Sequence, residues 1–346
     1  MNAILQQNPA RAAALASALV FLVACSLPVF LTDYRLFQAT MVLVYAIAIL
    51  GLNLLTGITG QISLGHGAFF AMGAYVAAIL MDQFQVSYWM TVPAAAAVCL
   101  VAGFLFGLPI LKLEGHYLAL ATFALAVALP QLLKHKALEA WTGGVQGIVL
   151  TKPAPPVDAL LGMTLSPDRW LYVLALVTAA GLFVVAWNLL RGRIGRALIA
   201  IRDQPVAAVS MGVDIAMFKS IAFAISALYT GVAGALSAIA VAFVAPDSFT
   251  VFLSLSLMVG VVIGGLGSIP GAIVGALFLQ FIPNLAGGIS KAAPWAIYGG
   301  LLIVCMFVVP GGAAAAARSL VRRVGAWRRP TKQAERPAQS TPHQAP

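Results

Sequence analysis

Long apolar stretches alternate with short polar or glycine-rich breaks along most of the 346-residue chain. About 20 consecutive apolar residues are enough for one helix to cross a bilayer. Spans of this kind are predicted at 12–31, 36–56, 62–81, 88–111, 115–133, 170–190, 217–243, 251–266, 271–289 and 294–310. The pattern therefore predicts an all-α polytopic membrane protein with about ten transmembrane helices.

Two breaks in this pattern place glycines and polar residues directly beside apolar spans. The first begins TGITGQISLGHGAFF at residue 56, and the second is GGLGSIPG at 264–271. Irregular backbone at membrane depth is tolerated where it is buried in protein or lines a wet cavity. We expect a broken helix at the first break and a tight reversal at the second. If these segments are re-entrant, the number of spans falls to eight or nine.

The polar side chains around the first break have two interpretations. They are Asn53, Gln61, Ser63 and His66. Polar groups in broken helices mark substrate paths in other transporters, so these four are candidates for a translocation path or gate. A polar contact between helices near the inner membrane face explains them at least as well. His66 by itself is more typical of a hydrogen-bonded packing residue than of a proton relay.

Composition and charge placement strengthen the membrane interpretation. The chain is 62% hydrophobic and only 9% charged, whereas soluble domains carry about 25% charged residues. Of the 20 Lys and Arg residues, five lie in 191–219 and seven follow residue 310. Basic residues beside spans mark the cytoplasmic side. The net charge of +10 is therefore a topology signal, and nucleic acid is not an expected partner.

The same rule orients the whole chain. Four predicted spans separate the two basic regions and six precede the first, so both termini are predicted to be cytoplasmic. We expect a transmembrane domain over 1–317 with an external loop at 134–169, followed by a basic, disordered cytoplasmic tail at 318–346.

No catalytic or metal-binding constellation is visible in the sequence. The four histidines are scattered, and no two have metal-ligand spacing. The sequence contains no P-loop pattern for binding ATP. We therefore expect no metal site and no enzymatic activity. A passive channel for a small polar solute is a further alternative, although no selectivity ring is visible.

The predicted cytoplasmic stretch at 191–216 contains two short helices by its pattern. Ile194, Leu198 and Ile201 fall on one helical face. Pro205 begins a second helix that Gly212 can end. Such a pair of helices is either a rigid element that a partner protein contacts or an amphipathic segment resting on anionic lipid. The residues alone favour neither.

Several long motifs resemble one family. The stretch from Leu52, LNLLTGITGQISLGHGAFFAMGAY, is similar to the hallmark segment of bacterial branched-chain amino-acid ABC transporter permeases. The stretches GRALIAIRDQPVAAVSMGV, FKSIAFAISALYTGVAGALSA, GHYLALATFALA, TGGVQGI and GGLGSIPGAIVGA also match its patterns. The resemblance covers most of 36–310. TGGVQGI and the long external loop resemble the LivM-type subunit more than its LivH-type partner.

The resemblance implies a type II-like ABC importer permease bundle in the bacterial inner membrane. It implies a homologous LivH-type permease, two ABC ATPase subunits and a periplasmic amino-acid-binding protein as partners, besides the lipid bilayer. ATP and Mg would be bound by the ATPases, and no cofactor is expected on this chain. Leu, Ile and Val are the implied substrates. Relatives that import urea, short amides or aromatic acids leave the substrate open.

The resemblance also implies roles for particular residues. The expected ATPase-coupling residues are Gly195, Arg196, Arg202, Asp203, Ala207, Ala208 and Gly212. The last three fit the Ala-Ala-x-x-x-Gly core of importer permeases, but Pro205 stands near the place of an acidic residue that often precedes those alanines. The candidates for binding-protein docking are Thr142, Gly143, Gly144 and Gly147. A folded loop that only caps the helices explains this last group nearly as well.

Overall fold

The computed structural model describes residues 21–110, 116–156, 159–160, 163–164 and 166–289, together with positions 299, 300, 303 and 312. Residues 12–20 of the first predicted span, nearly all of the predicted span 294–310 and the whole tail at 318–346 lie outside the described residues. The helices are α1 (Phe21–Phe30), α2 (Asp33–Asn53), α3 (His66–Asp82), α4 (Tyr88–Ile110), α5 (His116–Leu133), α6 (Glu139–Thr142), α7 (Pro167–Arg191), α8 (Arg193–Asp203), α9 (Pro205–Ser210), α10 (Ile215–Val241), α11 (Val251–Gly264) and α12 (Gly271–Ile289).

Four of the helices are long and apolar enough to cross a membrane. They are α2 with its π-helical continuation Leu54–Ile58, α4, α7 and α10. A fifth candidate combines α5 with the segment Lys136–Thr142, which is bent from it by 64°. Helices α1, α3, α11 and α12 are shorter and also apolar. This architecture is that of a multi-pass helical membrane protein.

Strands are few and short in the described part of the chain. Strand β1 (Ile148–Val149) pairs antiparallel with β4 (Phe243–Val244), which follows α10. Strands β2 (Ala159–Leu160) and β3 (Met163–Thr164) form a second antiparallel pair. One-turn 3-10 helices occupy Lys136–Leu138 and Pro246–Phe249. The loop predicted to be external therefore contains regular structure, and β1 joins it to the end of α10.

Helices α2 and α10 form the centre of the bundle. In their most apolar windows, 89% and 78% of the residues are buried, against 28% in α4 and 22% in α7. Helix α10 packs on α2, α3 and α4, while α2 also contacts α7 and α12. Helices α4 and α7 consequently present most of their apolar side chains outward, as lipid-facing helices do.

Small residues allow several of these helices to approach closely. The backbones of Gly264 and Gly271 lie so close that a Cβ on either one would collide with the other, and a Cβ on Gly275 would collide with the Gly260 carbonyl. These contacts hold α11 and α12 together as a hairpin. Such close approach of backbones is typical of small residues between membrane helices.

Candidate functional site

The two predicted breaks exist and lie against each other. The first break, defined as residues 54–65, starts with the π-helical turn and continues without helix from Gly60 until α3 begins at His66. The second break, defined as residues 265–270, is the tight turn between α11 and α12. A Cβ on Gly57 would collide with the backbone nitrogen of Gly267. The two interruptions thus form one contiguous region.

Asn53 joins the two breaks with both ends of its side-chain amide. Its Oδ1 accepts a hydrogen bond from the Gly267 N–H at 2.8 Å, and its Nδ2 donates to the Ser268 carbonyl at 2.9 Å. Asn53 is buried at the end of α2. A turn has backbone groups that no helix satisfies, and here one side chain pairs with two of them. Asn53 therefore acts as a clasp between the breaks.

His66 lies in a buried hydrogen-bond chain whose directions can be deduced. The Ser226 hydroxyl donates to the Gly51 carbonyl at 2.6 Å, so it must accept from His66 Nε2–H, 2.6 Å away. His66 Nδ1 is 2.9 Å from the Ser63 hydroxyl, which then donates to it. This assignment fixes a neutral imidazole with its proton on Nε2. The chain links α2, α3 and α10, and it fits the packing role better than proton relay.

Gln61 differs from the other three gate candidates. Its side chain is buried, yet neither Oε1 nor Nε2 has a hydrogen-bond partner among the described residues. The Thr56 hydroxyl in the π-helical turn shares this property. Buried polar atoms are normally paired. The structure thus assigns Asn53, Ser63 and His66 to internal contacts and leaves Gln61 with its polar atoms available.

The stretch 191–216, called the coupling segment below, forms the two predicted short helices. Helix α8 buries Leu198 and Ile201 on one face. Helix α9 starts at Pro205, and Gly212, with a φ of +80°, follows its end. The Val213 N–H returns to the Ala208 carbonyl at 3.0 Å, which closes the turn. The predicted helix pair is confirmed.

The proposed coupling residues divide into buried and exposed groups. Gly195 and Ala208 are buried and support the segment from within. Arg196 donates to the Arg191 carbonyl at 3.0 Å, a local contact. Asp203 and Ala207 are exposed.

The tip of α9 exposes apolar side chains that the motif comparison missed. Val206, Val209 and Met211 are 81%, 56% and 86% exposed. Two valines on the short helix and the methionine that directly follows it, next to the charged and polar residues 202–204, were the signal available in the sequence. An exposed apolar tip on a rigid helix pair is typical of a protein contact surface.

Arg202 contacts the first break. Its guanidinium donates to the Gly57 carbonyl at 3.0 Å and pairs with the neighbouring Asp203 carboxylate at 2.9 Å. A Cβ on Gly60 would lie 3.3 Å from Arg202 Cγ, so the aliphatic stem covers this glycine. The coupling segment is consequently hydrogen-bonded to the first break.

The TGGVQGI turn of the external loop is built from inside by its threonine and glycines. The Thr142 hydroxyl is buried and donates to the carbonyl oxygen of Leu133 at 2.8 Å, across the bend after α5. Gly143, Gly144 and Gly147 have positive φ values, and a Cβ on Gly147 would meet the Val244 carbonyl. The predicted docking residues therefore shape the turn. The side chains that it presents outward are Val145 and Gln146, which the sequence analysis did not single out.

Among the described residues, no three His, Cys, Asp or Glu side chains come together in a way that could hold a metal ion.

Comparison with known proteins places this architecture in a family. Residues 34–310 match the family described as "Branched-chain amino acid transport system / permease component". The chain belongs to this family. Its region of similarity includes both breaks, the coupling segment and the external loop.

Two relatives carry the same printed name, "High-affinity branched-chain amino acid transport system permease protein LivM". The chain is 35% identical to that of Salmonella typhimurium over 294 residues, covering 79% of this chain and 68% of the relative. It is 34% identical to that of Escherichia coli with the same coverage. The "Autoinducer 2 import system permease protein LsrC" of Escherichia coli is 26% identical over 93% of both chains. No solved structure matches.

Proposed function

We propose that the chain is the LivM-type permease subunit of an ATP-binding-cassette importer for branched-chain amino acids in a bacterial inner membrane. With a homologous LivH-type permease it would form the pathway for Leu, Ile or Val delivered by a periplasmic binding protein. The printed names of the two LivM relatives support the substrate class. The observation that carries the mechanism is the rigid coupling segment with its exposed apolar tip.

The proposed topology has about ten spans and cytoplasmic termini. It follows from the basic residues around α8 and in the tail, which mark the cytoplasmic side. The external loop and the β1–β4 pair would then face the periplasm. The described long helices support several spans, and the remaining ones are part of the proposal. The same holds for the division into a membrane domain at 1–317 and a tail at 318–346.

The coupling segment is suited to receive movement from an ATPase. A six-residue helix has little stability alone, but α9 buries its own Ala208, and α8 buries Leu198 and Ile201. Because α8 and α9 are packed in this way, the side chains of Val206 and Met211 are held pointing outward. Burial of such side chains at a subunit contact contributes about 25 cal/mol per Å². Two partner ATPases would bind ATP and Mg and supply the energy, and this chain would need no cofactor.

The external loop is proposed as a contact for the binding protein. Val145 is 64% exposed at the tip of the glycine-built turn. The turn is braced by β1, which pairs with β4 at the end of the central helix α10. A partner at the turn would thereby contact a segment continuous with the bundle core. A purely capping role for the loop remains the alternative to test.

Purification of the tagged protein from its native membrane tests the proposal. We expect a second permease and two ATPases in the recovered complex, identified by mass spectrometry. The double variant Val206→Ala/Met211→Ala should release the ATPases and retain the second permease. Val177→Ala on the lipid-facing helix α7, where Val177 is 63% exposed, is the matched control and should release neither. Recovery of the wild-type protein alone would contradict the importer function and favour a channel.

The substrate requires a separate measurement. Purified complex in liposomes, with its binding protein, should accumulate labelled leucine on addition of ATP. Urea, a short amide and an aromatic acid are the competitors to include. Displacement of leucine uptake by valine and isoleucine only would support the proposed class, whereas uptake of one of the other solutes would replace it.

A further inference from the structure

We infer that Arg202 is a positioning residue. It links the coupling segment to the first break and does not contact the ATPase. This inference rests on the proposed function and specifies how movement of the coupling segment reaches the membrane interruptions. It assigns Arg202 a task different from that of the exposed residues Val206, on the adjoining helix α9, and Met211, which directly follows that helix.

The first supporting observation is the hydrogen bond itself. Gly57 lies in the last turn of the π-helical segment, and the chain leaves helical conformation at Gly60. Carbonyls in the last turn of a helix have no intrahelical donor. Arg202 Nη1 supplies one to Gly57 at 3.0 Å. A hydrogen bond with a charged donor is about twice as strong as a neutral one.

The second observation is that Arg202 is fixed at three points. Its stem crosses Gly60, which offers no side chain to obstruct it, and its Nη2 and Nε both lie 2.9 Å from Asp203 Oδ1. The side chain is 40% exposed, so part of it is screened by solvent. Asp203 nevertheless holds the guanidinium in the orientation that reaches Gly57.

The third observation is what lies behind Gly57. Its backbone abuts Gly267, and Gly267 is bound by the Asn53 clasp. A displacement of α8 that pulled on the Gly57 carbonyl would therefore act on both breaks together. The contacts form a continuous physical path from Arg202 through Gly57 to the turn between α11 and α12. Such a path couples two sites when the region has two arrangements that both sites bias.

The test uses the full complex with its binding protein in liposomes and compares Arg202→Ala with Arg202→Lys. Two quantities are measured for each variant: the amount of ATPase subunits that co-purify, and leucine transported per ATP hydrolysed. We expect both variants to retain the ATPases. In Arg202→Ala, transport per ATP should fall about fivefold or more, an effect of the size typical of coupling between two sites. The lysine ammonium ends one bond short of Nη1 and can still donate to the Gly57 carbonyl, so Arg202→Lys should retain more transport per ATP than the alanine variant.

The alternative outcomes separate this inference from the proposed function. Loss of the ATPases from both variants would make Arg202 a docking residue and overturn the inference while supporting the importer. Unchanged transport per ATP in Arg202→Ala would also overturn it, as would equal ratios in the two variants. If the wild-type protein recovered no ATPases, the proposed function itself would fail. Size-exclusion chromatography of each complex identifies a variant that has misfolded. Transport per ATP of the other variant is then compared with that of the wild-type complex.

Discussion

Asn53 and Gly267 are 214 positions apart in the sequence, and the side-chain oxygen of Asn53 accepts a hydrogen bond from the Gly267 N–H at 2.8 Å. This contact joins the first break to the second, the two places where the apolar helices are interrupted. The same amide donates to the Ser268 carbonyl, so one side chain satisfies a donor and an acceptor of the turn.

Asn53→Ala should destabilise the fold because it leaves the Gly267 N–H and the Ser268 carbonyl without their partner. Each buried unpaired group costs about 1–3 kcal/mol. We expect a lower midpoint of thermal denaturation in detergent. Gln38→Ala is the control because Gln38 is only partly buried and its hydrogen bond to Tyr34 Oη on the same helix is exposed to solvent. An equal effect of the two substitutions would contradict the clasp.

Gly57→Ala should be poorly tolerated because its Cβ would collide with Gly267 and with Asn53 Oδ1. Overpacking of this kind costs about 1–3 kcal/mol. Gly181→Ala is the matched control in α7, since no atom lies within 4 Å of its Cβ position. Alanine is about 0.5–1 kcal/mol better than glycine inside a helix, so the control should be neutral or stabilising. Yield of monodisperse protein and the denaturation midpoint measure both effects.

Ser226→Ala should destabilise the fold because it interrupts the hydrogen-bond chain through His66. The substitution removes the acceptor for His66 Nε2–H and the donor to Gly51 at once. The control on the same helix is Ser220→Ala, because Ser220 donates only to the carbonyl of Ala216 one turn earlier. We expect a loss of about 1–3 kcal/mol for Ser226→Ala and little change for the control. Equal denaturation midpoints for both variants would show that the chain through His66 adds no stability.

Val145→Asp should weaken the response to the binding protein without removing the ATPases. It places a charge on the outward tip of the TGGVQGI turn, where an apolar contact is proposed. The measurement is the concentration of loaded binding protein that gives half-maximal stimulation of ATP hydrolysis, which should rise about tenfold. Val206→Asp at the other proposed contact should release the ATPases and is the reciprocal variant. The loop would be assigned a capping role if Val145→Asp left the response unchanged.

Much of the fold was predictable because the governing signals are local. Apolar length predicted the long helices α2, α4, α7 and α10. The helical spacing of Ile194, Leu198 and Ile201 predicted α8, and Pro205 predicted the start of α9. Each inference depended on residues within a few turns of one another.

The partners of the polar residues were not predictable because they lie far away in the sequence. Asn53, Ser63 and His66 formed one group of gate candidates, yet Asn53 bonds to the second break and His66 bonds to Ser226 in α10. Arg202 was grouped with the ATPase-coupling residues because it lies in the same motif. The direction of its side chain depends on how α8 lies against the first break, which no local pattern specifies.

The long-range polar contacts also set an order of events during biosynthesis. Asn53 and His66 are synthesised 215 and 160 residues before Ser268 and Ser226. The early helices therefore enter the bilayer with polar groups whose partners have not yet been translated, a state that hydrocarbon disfavours. These side chains must be shielded by water near the membrane face or by the insertion machinery until α10 and the α11–α12 hairpin arrive. A truncated or stalled chain would retain that exposed polarity, which gives membrane proteases a physical criterion for distinguishing incomplete copies from finished ones.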